Sequence, residues 1–241
     1  MEENRPRLEL IFGPMYSGKT TELCRRLNIY ADVNPKIRIF YINHVFDIRA
    51  VTPFSTHGYI SRLNPTINCA KLQKLSDSDY MQYDVIGIDE AQFFPDLYEM
   101  VMTAVEKAKK TVIVSSLDSD FRRQHFGQVM KLVQHADKLD KLSAYCMSCS
   151  HHTSNSTAMI PAIYSLKIDD TTKFIHLTDD PAQPVRPIEQ IEEKKIDVVE
   201  KTDIVKKVEK QEGDIISIGG KEKYNAVCRE CYLTWDLINK Q

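Results

Sequence analysis

Residues 13–20 read Gly-Pro-Met-Tyr-Ser-Gly-Lys-Thr and fit the pattern G-x-x-x-x-G-K-[ST] without a mismatch. A loop of this kind lets successive backbone N–H groups converge on phosphate oxygens, and the dipole of a following helix favours the anion. Gly13, Pro14, Met15, Tyr16, Ser17, Gly18, Lys19 and Thr20 are therefore the candidate triphosphate-binding residues. Lys19 is expected to reach the β- and γ-phosphates and Thr20 to ligate Mg²⁺. Asp89 and Glu90 close a second apolar run, the position where a phosphate-loop protein places its acidic element. Asp89 would bind Mg²⁺ directly or through water, and Glu90 could accept a proton from an attacking hydroxyl. The plainer reading of the pair is two solvated strand-end carboxylates; the phosphate loop upstream makes it the poorer one.

Four of the six cysteines form two C-x-x-C pairs, Cys146 with Cys149 and Cys228 with Cys231. Four thiolates are enough to close a tetrahedral structural zinc site. Residues 150–227 separate the pairs, a longer gap than a zinc ribbon usually has, and an insertion looping out of the ribbon would account for it. A redox pair or plain buried thiols are the competing readings. His151 and His152 adjoin the first pair and read as exposed loop histidines, while Cys24 and Cys69 read as ordinary small side chains.

The elements that must position these groups follow from patterning. Of the 241 residues 42% are hydrophobic, enough to bury a sizeable core, and the net charge of −2 gives no global field to attract nucleic acid or an anionic membrane. No apolar run approaches the roughly 18–20 residues that span a bilayer, and the first residues lack the apolar region of a secretory signal. A cytoplasmic protein is the expectation. Leu8–Phe12 reads as a buried strand ending at Gly13-Pro14. From Lys19 the apolar positions Leu23, Leu27 and Tyr30, with Arg26 among them, recur at helical spacing, and that helix should stop before Asn34-Pro35. Ile37–Ile42 reads as a strand, residues 43–75 mostly as loop, and Val85–Asp89 as a strand buried on both faces. Asp96 reads as the cap of a helix with Glu99 as its capping-box partner, and Thr111–Leu117 as a further strand. Strand and helix in alternation predict an α/β fold: a phosphate-loop (RecA-like) parallel sheet with helices on both faces, spanning residues 1–143. Residues 144–241 are expected to form a small zinc-binding domain with a long charged insertion at about 166–213, read as mobile because residues 189–214 alternate Lys/Glu with Ile/Val.

Several motifs go together. They are the phosphate loop with Met15 and Tyr16, Asp89-Glu90-Ala91-Gln92-Phe93-Phe94-Pro95-Asp96, and Leu117-Asp118 followed by Phe121 and Phe126-Gly127. With the cysteine pairs and Ile218-Gly219-Gly220 before Tyr224, this set closely resembles the type II thymidine kinases, the cellular, bacterial and poxvirus-like branch. The resemblance covers about residues 8–165 and 215–235. It implies transfer of the γ-phosphate of Mg²⁺-bound ATP to the 5′-hydroxyl of thymidine, and of deoxyuridine, for nucleotide salvage and DNA synthesis. Glu90 matches the family's catalytic base. Asp47 and Arg49 match its Asp-x-Arg element near the phosphates and metal, and Gln92 matches a residue of the same site. The family holds thymine mainly by backbone groups of a late lasso loop. Here the resemblance places that loop at Ile215, Ile216, Ser217, Ile218 and Gly219, with Tyr224 closing over the nucleoside, Phe121 stacking on the base, and Met15, Leu117 and Phe126 walling the pocket.

The chain also departs from that family. The insertion is absent from ordinary members, and His125 stands for the usual Pro before Phe126. After the first cysteine pair the family shows an aromatic, a Thr and a basic residue two positions on. Here Asn155-Ser156-Thr157-Ala158 stands, with Ser156 as the Thr equivalent and the aromatic and the Arg missing. The resemblance further implies a homotetramer and feedback inhibition by thymidine triphosphate, with ATP and thymidine as partners and no stable nucleic acid or membrane. Two other classes compete: a phosphate-loop kinase with another acceptor, and a zinc-ribbon phosphate-loop ATPase acting on nucleic acid. The box Asp89-Glu90-Ala91-Gln92 is similar to that of helicases, but a helicase needs two such domains, and no basic stripe favours nucleic acid.

Overall fold

The computed structural model describes residues 5–47, 64, 66–150, 159–168 and 223–239, with side chains through 235 in the last segment. All of these fall in one compact unit made of residues 1–172 and 219–241. Its centre is a six-stranded sheet of β1 (Arg7–Gly13), β2 (Ile39–His44), β3 (Asn68–Leu72), β4 (Val85–Ile88), β5 (Thr111–Leu117) and β6 (Lys138–Lys141) in the order β3-β2-β4-β5-β1-β6. Every pairing in it is parallel, so all the carboxyl ends lie along one edge.

The central strands read as continuous apolar runs because both faces are covered. Successive residues point to opposite faces, and the packing obeys this: Leu8, Leu10, Phe12, Phe40, Ile42, Ile86, Ile88, Val112 and Val114 share one buried cluster. Ile11, Ile39, Tyr41, Val85 and Ile113 belong to the other. Helix α1 (Lys19–Val33) covers the second face with Leu23, Cys24, Leu27 and Ala31. Gly87 in β4 allows that approach, since a Cβ there would lie 2.6 Å from Leu27 Cδ1. Helix α2 (Leu97–Met102), continued by a π-helical turn over Thr103–Lys107, covers the first face with Leu97, Met100, Val101 and Ala104.

Two strands of this sheet were not expected, β3 and β6. They are the two edges of the sheet. Their sequences, Asn-Cys-Ala-Lys-Leu and Lys-Leu-Asp-Lys, carry the charged side chains of strands that face solvent and guard an open edge, so no apolar run announces them. A second difference concerns Asp96. It does stand at the N-cap of α2, but it makes no side-chain bond to that helix. Its carboxylate instead accepts from the backbone N–H groups of Leu75 and Ser76 at 3.0 and 2.8 Å, tying the turn at Leu75–Asp77 to the start of α2. Within α1, Arg26 is only 6% exposed and pairs with Glu9 of β1, Glu22 of its own helix and Asp140 of β6. That buried cation is paired on three sides, as burial requires.

Beyond the sheet, β7 (Ala144–Tyr145) pairs antiparallel with β8 (Pro161–Ala162), and β9 (Tyr164–Lys167) with β10 (Tyr224–Val227). A helical turn, α3 (Met147–Ser150), follows β7, and α4 (Arg229–Asn239) follows β10. Of the insertion expected at about 166–213, only residues 166–168 are among those described. Among the described residues no helix is long and apolar enough to cross a membrane.

Candidate active site

The phosphate loop leaves the carboxyl end of β1 and the acidic pair leaves that of β4, with β5 between them. This is the edge where open parallel sheets bind ligands. The loop is already folded as a cradle. Gly18 stands at φ 81° and Tyr16 at φ 65°, left-handed conformations that turn successive N–H groups inward. The Ser17 hydroxyl and the Lys19 ammonium donate to the Pro14 carbonyl at 2.8 and 2.7 Å. Lys19 and Thr20 open α1, so the helix N-terminus addresses the loop as the motif demands.

Asp89 is buried, 1% exposed. Its Oδ2 accepts from the Tyr41 hydroxyl at 3.0 Å and its Oδ1 from the Ser115 hydroxyl at 2.7 Å. Glu90 sits at φ 50°, a left-handed conformation that costs about 1–3 kcal/mol in a non-glycine residue and recurs at functional sites. One Glu90 oxygen accepts from the Gln92 side-chain amide at 2.6 Å. Gln92 is itself buried, and its Oε1 accepts from the Ser116 hydroxyl and the Leu117 N–H. Gly127, at φ 66°, closes over this turn; a Cβ there would lie 2.3 Å from the Gln92 carbonyl oxygen.

Asp47 follows β2 and is buried beside the same edge, where Asn43 donates to its carboxylate at 2.9 Å and Lys71 to its carbonyl at 2.7 Å. His44, at the end of β2, is enclosed by Phe46, Phe93 and Phe94. Burial drives its pKa down to about 4, so the ring is neutral, and its Nδ1 accepts from the Phe46 N–H at 3.1 Å. Sequence reasoning passed over His44, because an isolated histidine at a strand end carries no motif.

The remaining expected pocket residues come together in part. Phe126 meets Phe93 edge-on with centroids 5.4 Å apart, and Phe121 lies 6.4 Å from the Tyr224 ring. The Phe121 ring also carries the Arg122 guanidinium at 5.1 Å and the Lys167 ammonium at 5.3 Å. Met15 and Tyr16 bind the β9–β10 hairpin: the Met15 N–H donates to Ser165 Oγ at 2.9 Å, and the Tyr16 hydroxyl to the Tyr224 carbonyl at 3.2 Å. Tyr232 of α4 donates to the Phe121 carbonyl at 2.7 Å. Arg49, Ser156, Ile215, Ile216, Ser217, Ile218 and Gly219, with His151 and His152, lie outside the described residues.

Ser165 and Lys167 were missed, although a signal was present. Tyr164-Ser165-Leu166-Lys167 has an aromatic, a hydroxyl residue and a basic residue two positions on, the pattern sought at 155–158. The pairing of β9 with β10 brings this segment beside Met15.

The four paired cysteines converge. Cys146, Cys149, Cys228 and Cys231 place their sulfurs within 4.8 Å of one another, with Cys149 at 3.8 Å from Cys228 and 3.5 Å from Cys231. Sulfurs about 2.3 Å from a tetrahedral zinc lie about 3.8 Å apart, so the set fits the ion. Backbone N–H groups face the sulfurs within both turns, from Cys149 to Cys146 and from Cys231 to Cys228, as donors to thiolates should. Burial pushes the Cys149 thiol up to about 12.

The geometry is that of a phosphate-loop enzyme, and comparison with known proteins agrees. The family model described as Thymidine kinase matches residues 6–175 and 189–232. The cytosolic thymidine kinase of Cricetulus griseus is 32% identical over 232 residues, 95% of this chain and 74% of that protein. The thymidine kinase of Sheeppox virus (strain KS-1) is 30% identical over 227 residues, 93% of this chain and 96% of that protein. The human cytosolic enzyme is 31% identical over 232 residues, with 95% of this chain covered.

Proposed function

The chain belongs to the thymidine kinase family, and from that premise we propose that it transfers the γ-phosphate of ATP to the 5′-hydroxyl of thymidine, and of deoxyuridine. The observation that carries this reading is the meeting, at one sheet edge, of a folded phosphate cradle, a turn bearing Asp89 and Glu90, and a hairpin that touches the cradle through Ser165 and Tyr224. Phosphoryl transfer asks mainly for positioning and charge neutralisation. Lys19 swings from the Pro14 carbonyl to the phosphates, and Arg49 adds a second cation. Glu90, whose carboxylate is held by Gln92, takes the proton of the acceptor hydroxyl.

Thr20 and Asp89 are the residues that would hold Mg²⁺, with Asp47 nearby; the ion supplies neutralisation of the phosphate oxygens. The four cysteines hold a structural zinc with no open position. Backbone groups of Ile215–Gly219 read the pyrimidine edge, where a purine would leave buried polar groups unpaired. Tyr224 and Phe121 flank the base, and Met15, Leu117 and Phe126 bound it. In this reading Ser165 and Lys167 fill the hydroxyl and basic positions that the family places after the first cysteine pair. Residues 1–143 form the kinase domain and 144–241 the lasso domain. A homotetramer, feedback inhibition by thymidine triphosphate and a cytoplasmic location complete it, the last supported by relatives named cytosolic.

The test is transfer of labelled phosphate from ATP to thymidine, deoxyuridine, deoxycytidine, deoxyadenosine and deoxyguanosine, with single-stranded DNA as a parallel stimulant of ATP hydrolysis. Labelled monophosphate from thymidine and deoxyuridine alone is the expected result. Transfer to the other nucleosides overturns the specificity, and DNA-stimulated hydrolysis without nucleoside product overturns the reading.

A further inference from the structure

Strand β5 is apolar for most of its length but ends in two consecutive buried hydroxyls, Ser115 at 0% and Ser116 at 1% exposure. A buried hydroxyl costs free energy unless it is bonded, and neighbouring strand residues face opposite sides of the sheet. Each serine therefore reaches a different group of the acidic turn. Ser115 faces the α1 side and donates to Asp89 Oδ1 at 2.7 Å. Tyr41 of β2, fully buried on that same side, donates to Asp89 Oδ2 at 3.0 Å. Both oxygens of Asp89 thus accept from fixed hydroxyls, with the Glu90 N–H adding a third donor to Oδ1 at 3.0 Å. On the other side the Ser116 hydroxyl has two acceptors in reach, Gln92 Oε1 at 3.0 Å and the Leu117 carbonyl at 2.9 Å; the Leu117 N–H donates to the same Oε1 at 3.1 Å, and the opposite end of that amide donates to Glu90 Oε2 at 2.6 Å.

We propose that these hydroxyls are two separate positioning devices: Tyr41 and Ser115 aim the carboxylate of Asp89 at the metal, and Ser116, acting through Gln92, aims Glu90 at the acceptor hydroxyl. The inference rests on the reading of Asp89 and Glu90 given above. An ionised carboxylate accepts at both oxygens, so donors on each fix its plane. The Leu117 N–H has only one proton to give and holds the amide oxygen, with the Ser116 hydroxyl beside it, so the NH₂ faces Glu90. Tyr41 fills core volume with its ring, and Phe would fill the same space. Its hydroxyl is therefore the part that packing does not need.

The test uses the full chain and the variants Tyr41→Phe and Ser116→Ala. It measures binding of Mn²⁺, a spectroscopic stand-in for Mg²⁺, to the enzyme–ATP complex by electron paramagnetic resonance. It also measures binding of ATP in EDTA, and kcat and KM for both substrates. For Tyr41→Phe the expected result is Mn²⁺ binding weakened about tenfold, as loss of a hydrogen bond to a charged group gives, with metal-free ATP binding within about twofold of wild type. Ser116→Ala should leave Mn²⁺ binding within about twofold and lower kcat about tenfold, with KM for both substrates within about twofold. Unchanged Mn²⁺ binding in Tyr41→Phe overturns the first device, and an unchanged kcat, or a KM that changes in step with kcat, in Ser116→Ala overturns the second. If both variants change both readouts together, the hydroxyls serve packing alone and the proposal falls. Should the wild type give no thymidine monophosphate, the proposed function fails, while the Mn²⁺ measurement still judges the role of Tyr41.

Discussion

The two ends of this site, which the proposed function assigns to the phosphates and to the nucleoside, are held in different ways. At the phosphate end Asp89, Glu90 and Gln92 stand on a turn whose bonds run to β2 and β5, strands already fixed by two buried cores. At the nucleoside end Ser165 and Tyr224 come from segments far along the chain from the phosphate loop they touch. There the fixing elements are a two-stranded hairpin and four cysteines. A two-stranded hairpin has little stability of its own. On the proposed function, the difference puts the chemistry on the sheet, while recognition rests on a small buried two-stranded layer and the four-cysteine cluster beside it.

Breaking the phosphate end should have the largest effect. Glu90→Gln keeps the shape of the turn but removes the proton acceptor, so kcat should fall about 10²–10⁴-fold while ATP binding holds within about threefold. Single-turnover phosphate transfer with calorimetric ATP binding checks this, and near-normal transfer removes Glu90 as the base. The packing of the same end is exposed by acid. His44 has its pKa lowered by burial to about 4 against an ordinary value of about 6.5, so below that ordinary value the unfolded chain binds the extra proton. The stabilising contribution is whole above about pH 6.5 and is lost as pH falls toward 4. Urea unfolding should lose about 2 kcal/mol between pH 7.5 and pH 5 on this account, and His44→Gln should flatten that part of the slope.

The nucleoside end predicts smaller, more selective losses. Ser165→Ala leaves the Met15 N–H without this acceptor, at a cost of about 1–2 kcal/mol. Thymidine KM should rise about tenfold with little change in ATP affinity, and equal losses in both would place Ser165 outside nucleoside binding. Asp96→Ala serves as the control, because it removes two bonds to the Leu75–Asp77 turn. Its loss should be about 1–3 kcal/mol of stability, since two N–H groups lose a charged acceptor, read in a melting curve, with KM for both substrates unchanged.

How much of this was legible in the sequence follows the same division. The phosphate loop, the acidic turn and the buried strands announced themselves because their constraints are local: a glycine spacing, an apolar run, a carboxylate pair at its end. The edge strands β3 and β6 did not, since a partly solvated strand needs no apolar run. Asp96 had the right type for a helix cap, but its carboxylate found stronger use across the fold at Leu75 and Ser76. The cysteines were legible as pairs, while their meeting required the fold. Ser165 was hidden because only the fold brings it to the Met15 N–H, and Tyr41, Ser115 and Ser116 looked like ordinary strand residues until their hydroxyls met a carboxylate or an amide.

The measurement that tests the division most directly is calorimetric binding of thymidine and of ATP, each before and after the thiol-bound metal is stripped with chelator. The account predicts about one zinc per chain released, thymidine affinity reduced at least about tenfold, and ATP affinity unchanged within about twofold. Equal loss of both ligands, or full thymidine affinity in zinc-free protein, would contradict it.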